Sequence, residues 1–193
     1  MDTRKGCKGT AVFHLLNNRR KRLLTNENLI AGRLQWTRFH SRNKPINLIT
    51  VYTSGRNERQ ETEEEEELMN NIIQLLLTLE DEYVIIAGDM NINTHNPKTG
   101  RDKDWQELID HFNLKELKNP QNYTYVRAKS RPDHIFVSQN IKIIKEVMLP
   151  PVTKNDHIPF YVDLELDTVI TYHLIKMTLS IILRTSSLPK STH

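Results

Sequence analysis

Apolar residues along the chain fall into short runs with two different periods. Tyr83-Val84-Ile85-Ile86-Ala87 is continuous and ends on Gly88, which predicts a buried strand. Ile46-Asn47-Leu48-Ile49-Thr50-Val51-Tyr52 is rich in β-branched residues and stops at Thr53-Ser54-Gly55, while Phe160–Leu166 alternates apolar with polar, as a half-buried strand does. Further strands are predicted over residues 11–16, 29–39, 123–126, 133–138 and 141–149, the last broken by Pro150-Pro151. The period changes over residues 61–80, where Leu68, Met69, Ile72, Ile73, Leu75, Leu76 and Leu79 form one broad stripe behind acidic first turns. That is the main helix. A shorter amphipathic helix is predicted over residues 104–112, with Trp105, Leu108, Ile109 and Phe112 on one side. The early strands suggest an antiparallel meander, and the main helix leads directly into the Tyr83 strand. This order implies an α/β or α+β protein with helices outside packed sheets, and 193 residues suit one domain.

Charge changes the picture little. Lys and Arg number 27 against 24 Asp and Glu, for a net charge of +3, which is compatible with a polyanionic partner without demanding one. Residues 17–22 are basic and read first as a hairpin tip, ahead of a phosphate-holding cluster or a nuclear address. Residues 61–67 are almost all acidic, and a linear acidic series is a solvated helix face before it is a cation site. A single Cys7 allows neither an internal disulfide nor a cysteine-based zinc site, so an intracellular place, nuclear or cytoplasmic, is expected. No apolar stretch follows the first basic residues, so no secretory signal is read there. Residues 168–183 are interrupted by Tyr172, His173 and Lys176, so no membrane span is expected and a helical or poorly ordered tail is.

Candidate chemistry gathers at strand ends. Asp89 and Asn91 follow the Tyr83 run two residues apart, Asp133 opens the 133–138 strand, and Asp156-His157 precede Phe160. Aspartate is seldom buried without a partner, so three such residues at strand-loop junctions face solvent or converge. Asp89 and Asn91 offer the hard oxygen atoms that Mg²⁺, Mn²⁺ and Ca²⁺ prefer, and the strand period of two puts both side chains on one face. His134 directly follows Asp133, points to the other face and is structural. His95 reads as a solvated loop histidine, Arg131 and Lys154 as loop charges or steering cations, and Tyr52 as rim packing or a phosphate donor.

Gly88-Asp89-Met90-Asn91, then Ser130-Arg131-Pro132-Asp133-His134-Ile135-Phe136-Val137-Ser138, then Asn155-Asp156-His157-Ile158-Pro159 resemble, in order and spacing, successive motifs of the endonuclease/exonuclease/phosphatase superfamily. Its DNase I-like members include the endonuclease domains of LINE-type retrotransposons, the branch this chain is most similar to. The resemblance runs over residues 9–166 and implies a four-layered α/β sandwich, two packed and mainly antiparallel sheets flanked by helices, with residues 167–193 as a tail. It implies Mg²⁺-dependent (or Mn²⁺-dependent) hydrolysis of a nucleic-acid phosphodiester, DNA before RNA. Carried over by position, Asp89 orients or deprotonates the attacking water and Asn91 binds phosphate or places that water. Asp156, with Asp89, belongs to the metal set. His157, held by Asp133, contacts the scissile phosphate, and Tyr52 donates to a phosphate oxygen. The family's upstream Asn and its principal metal-ligand Glu have no counterpart here, so the resemblance implies a domain lacking its first strand and helix. Two other functions follow from that: an inactive, nucleic-acid-binding remnant, or a phosphomonoesterase acting on an inositol phosphate or lipid.

Overall fold

The computed structural model of the protein describes residues 23–40, 44–53, 62–117, 123–150, 156–166 and 179–180. The predicted 11–16 strand, the basic 17–22 turn, Cys7, Lys154, Asn155 and most of the tail lie outside the described residues.

Strands β1 (Leu23–Ile30), β2 (Leu34–Phe39) and β3 (Ile46–Tyr52) form an antiparallel meander. The sequence predicts one strand over 29–39, but the chain turns at Ala31-Gly32-Arg33, where Gly32 takes φ +70°. Apolar residues on both sides of that turn hide it, and glycine supplies the left-handed conformation at little cost. Helix α1 (Thr62–Thr78) then crosses over to β4 (Tyr83–Asp89), which pairs parallel with β3.

Helix α2 (Gly100–His111) begins earlier than its apolar side suggests. Thr99 and Asp102 form a capping box, and Asp102 also accepts from the backbone of Asn93 and Lys98. These N–H bonds outweigh burial and hold the Asp102 carboxyl below its ordinary range. Two-residue strand β5 (Lys115–Glu116) and β6 (Asp133–Val137) complete a six-stranded sheet of order β1-β2-β3-β4-β6-β5. The predicted 123–126 strand is instead a turn, in which Tyr125 makes single bridges to Ser130 and His157. Strands β7 (Ile141–Met148), β8 (Phe160–Leu166) and β9 (Leu179–Ser180) form a second, antiparallel sheet.

The central strands alternate between two cores. Ile49, Ile86 and Phe136 pack under α1 and α2 against Ile72 and Trp105. Leu48, Ile85, Ile135 and Val137 face the second sheet and pack on Val162 and Leu164. The layers run helices, large sheet, small sheet. Among the described residues no helix is long and apolar enough to cross a membrane.

Candidate active site

The site lies where β3 and β4 end and the antiparallel β6 begins, on the face toward the small sheet. Gly88 opens it with φ +154°. A Cβ there would sit 1.8 Å from the Val51 carbonyl oxygen, so the close approach of β3 to β4 admits only glycine. The next residue, Asp89, is in register with Tyr52 on one side and Asp133 on the other. Side chains in register share a face, so a phenol and two carboxylates line one edge of the sheet.

Asn91 reaches the site by a different route from the one its spacing suggests. Strand β4 ends at Asp89, and Asn91 takes φ +49°. In that left-handed conformation its Nδ2 donates to Asp89 Oδ1 at 2.9 Å and to the Thr53 carbonyl at 2.8 Å. Asparagine tolerates this backbone better than most residues. Thr53 completes the corner: its N–H donates to the Asp89 carbonyl at 2.9 Å and its hydroxyl to the Met90 carbonyl.

The second half of the site is a histidine and its carboxylate. His157 Nδ1 donates to Asp133 Oδ2 at 2.8 Å, with side chains 20% and 4% exposed. The turn over 123–131 holds the His157 loop in place. Thr124 accepts the Ile158 N–H at its carbonyl at 2.7 Å, and its hydroxyl accepts the Asp133 N–H at 3.2 Å. The Tyr125 ring lies 5.0 Å from the His157 ring. Thr53, Thr124 and Tyr125 carry no motif, and sequence reasoning passes over them as site residues; Thr124 and Tyr125 are placed by a local turn closed on Ser130 and by contacts with Ile158 and His157 more than thirty residues away.

Asp89, Asp133 and His157 each bring one ligand atom within 4.8 Å of the others. Asp156 stands outside this group, with its Oδ1 2.9 Å from Arg127 Nε. Arg131, read from the sequence as a loop cation, is buried; it donates to the Leu117 carbonyl and lies 3.4 Å from Glu116. His134 occupies the opposite face of β6, and His95 is exposed in the loop after Asn91.

Burial, followed by the charge of Asp133, pushes the Asp89 carboxyl up to about 7, against the opposing pull of His157 and Asn91. Burial works against a charged His157, but the hydrogen bond and charge of Asp133, then the charges of Asp89 and Asp156, raise its pKa overall. Two carboxylates repel across a partly buried gap beside a cation. A divalent ion relieves that repulsion, and the oxygen-rich donor set of Asp89 and Asp133 fits Mg²⁺ or Mn²⁺. His157 Nδ1 is committed to Asp133, so the hard donors here are the carboxylates.

The sequence family described as endonuclease-reverse transcriptase matches residues 46–161, which spans β3 to β8 and every site residue above. No functionally curated protein matches the chain by sequence. Among solved structures, the endonuclease domain of TRAS1, a telomere-specific non-LTR retrotransposon, superposes with TM-score 0.60 at 14% identity, over 75% of this chain and 67% of that one. The human nocturnin catalytic domain gives 0.57 at 14% identity, over 77% of this chain and 61% of that one. A mannosyl-6-phosphatase from Bacteroides thetaiotaomicron gives 0.54 at 15% identity, over 76% and 67%. The chain thus spans about two thirds of these proteins and shares their fold, the DNase I-like α/β sandwich. It belongs to the endonuclease-reverse transcriptase family of the endonuclease/exonuclease/phosphatase superfamily, whose members are hydrolases, nucleases and phosphatases typically dependent on a divalent metal.

Proposed function

We propose that this chain is a Mg²⁺-dependent endonuclease that hydrolyses a phosphodiester of nucleic acid, DNA in the first place. The observation that carries the reading is the His157–Asp133 pair facing the Asp89–Asn91 corner within 4.8 Å. Near neutral pH the Asp89 carboxyl sits close to its midpoint, the range in which a group both takes a proton from water and releases it again. Asn91 holds that carboxylate through Nδ2 and orients it toward the attacking water. His157, kept cationic by Asp133, faces the phosphoryl oxygens and stabilises the charge that grows there in the transition state. Tyr52, in register with Asp89, donates its phenol to a phosphate oxygen. Asp89 and Asp133, joined by Asp156 if its carboxylate is freed from Arg127, would hold a divalent ion that would supply Lewis acidity at the same oxygens. The exposed Arg127 and Lys129 on the Tyr125 turn offer cations for a nucleic-acid backbone beside His157. We place the activity in residues 1–166, with 167–193 as a tail, and inside the cell, nuclear or cytoplasmic, in keeping with the single Cys7.

A second reading, a phosphomonoesterase, is favoured by the mannosyl-6-phosphatase neighbour, because the same residues read phosphate and metal rather than the leaving group. Nicking of supercoiled DNA in Mg²⁺ and in EDTA, beside release of inorganic phosphate from sugar and inositol phosphates, separates the two. Metal-dependent nicking abolished by Asp89→Ala supports the endonuclease, and phosphate release with intact DNA supports the phosphatase. Neither activity would leave the inactive, nucleic-acid-binding remnant, tested by salt-dependent DNA binding alone.

A further inference from the structure

We propose that His134 is a positioning residue for Asn91, acting through the Ile92 carbonyl. On β6, Asp133 and His134 point to opposite faces, so the catalytic carboxylate and a buried imidazole stand back to back. His134 is 1% exposed, with Nε2 3.2 Å from the Ile92 carbonyl oxygen and Nδ1 2.8 Å from Glu116 Oε1. A backbone carbonyl can only accept, so Nε2 is the ring nitrogen that donates to Ile92, with Nδ1 set against Glu116.

The bridge is anchored at its far end. Glu116 lies on β5, paired with β6, and Arg131 sits 3.4 Å from the same carboxylate. The ring therefore cannot follow Ile92; it holds Ile92 to the sheet. What it holds is a backbone that would not stay put unaided. Asn91 is at φ +49°, a left-handed conformation uncommon for a residue with a side chain even though asparagine tolerates it, and one that persists where its surroundings over-determine it. Each neighbour of that residue is tied. Met90 and Asn91 donate their N–H groups to the Pro132 carbonyl at 2.8 and 3.3 Å, and the Asn93 N–H donates to Asp102 Oδ1 at 2.8 Å. The Ile92 carbonyl is the group between these ties, and His134 is its side-chain partner. Releasing it lets Asn91 relax toward ordinary φ, which carries Nδ2 away from Asp89 Oδ1.

The catalytic consequence rests on the function proposed above; the geometric claim does not, and hydrogen exchange tests it separately. In His134→Leu the amides of Met90 and Asn91 are expected to exchange at least about tenfold faster relative to the amides of β4. Leu164→Ala, a cavity variant in the small sheet, is expected to accelerate the two sets in step. His134→Gln, which keeps a donor for the Ile92 carbonyl, restores most of the protection. Glu116→Gln loosens the anchor and gives the same pattern more weakly, which covers a Leu variant that fails to fold. Under the nicking assay His134→Leu lowers kcat about tenfold with KM within twofold. Exchange at Met90 and Asn91 that rises only in step with β4 would overturn the proposal, as would selective exchange with unchanged kcat in an active protein. If the wild-type protein cleaves nothing, the function falls and the exchange result still decides the role of His134.

Discussion

Two histidine–carboxylate pairs sit on opposite faces of the same strand, each 2.8 Å long, and only one of them is open to solvent. His157 with Asp133 faces the open sheet edge, and His134 with Glu116 faces the helix layer. The histidine side chains are 20% and 1% exposed, so a molecule in solution can reach the first and not the second. Their neighbours differ as well. Around His157 stand Asp89 and Asp156, and burial, followed by the charge of Asp133, drives the Asp89 carboxyl up to about 7. Around His134 stand Glu116, Arg131 and the Ile92 carbonyl, and burial of the Glu116 carboxyl is outweighed by His134 and Arg131, which lower its pKa. A buried pair whose charges balance braces the fold, whereas a pair left beside surplus charge and open to solvent is poised to bind an ion or a phosphate.

The largest test strips the proposed catalytic face and leaves the buried pair whole. Asp89→Ala and His157→Ala are each expected to lower Mg²⁺-dependent nicking by about a thousandfold, in line with loss of a general base or of a charge-stabilising cation. Circular dichroism should stay close to wild type, because both side chains stand at strand ends and neither fills the apolar core. EDTA should reduce the wild-type rate to the level of these variants. Cleavage that survives both substitutions would remove the distinction between the two faces.

Gly88 sits under both pairs, in register with His134 on β6 and beside Asp89. Gly88→Ala puts a methyl 1.8 Å from the Val51 oxygen at φ +154°, so β3 and β4 must separate. A loss of about 3 kcal/mol or more in urea unfolding is expected, with both activity and global exchange protection falling together. A variant that keeps wild-type stability would show that the close approach of the strands is dispensable.

The two faces should also answer pH in opposite directions. Asp89 has a raised carboxyl pKa, so its ionisation costs stability that is absent below about 4, grows as pH rises, and is complete above about 7. Asp89→Asn is therefore expected to raise stability at pH 8 by on the order of 2 kcal/mol and to change it little at pH 3.5. Glu116 has a lowered pKa, so its contribution is present above the ordinary glutamate value of 4.5 and is lost as pH falls through the folded value. Glu116→Gln should thus destabilise at pH 7 and converge on wild type in strong acid. Parallel urea titrations at the three pH values check both signs. Mg²⁺ should narrow the gap between wild type and Asp89→Asn at pH 8, since an ion offsets the same repulsion.

The candidate catalytic face was largely legible in the sequence, and the buried face of the same strand was not. The runs that became β3, β4, β6 and β8 are buried and apolar, so they announce themselves, and Gly88, Asp89, Asp133 and His157 stand at their ends. His134 follows from strand alternation alone. Its partners do not: Glu116 lies 18 residues away in a two-residue strand with no apolar pattern, and Arg131 reads as a loop cation until Leu117 and Glu116 are placed beside it. Asn91 shows a subtler gap. Spacing put it on the face of Asp89 by the strand period, whereas the strand stops at Asp89 and the two side chains meet through a left-handed residue. Local pattern carries local geometry, and contacts closed by the fold leave no local trace.

Asp156 supplies the smallest test, at the boundary between the two kinds of pair. Its Oδ1 is bound to Arg127, whose side chain is 73% exposed, so the ion pair is screened by water and contributes little to stability. Removing Arg127 therefore separates two roles that the pair can play. If Asp156 belongs to the metal set, Arg127 competes with the ion for its carboxylate, and Arg127→Ala should lower the Mg²⁺ concentration for half-maximal nicking by about threefold while shifting Tm by less than about 2 °C, as expected for a surface pair worth under 1 kcal/mol. The same substitution removes a cation from the turn beside His157, so DNA affinity should fall at low salt and converge with wild type as salt rises. Metal affinity and DNA affinity then move in opposite directions in one variant. A Mg²⁺ requirement unchanged in Arg127→Ala would leave Asp156 outside the metal set and confine the site to Asp89, Asp133 and His157.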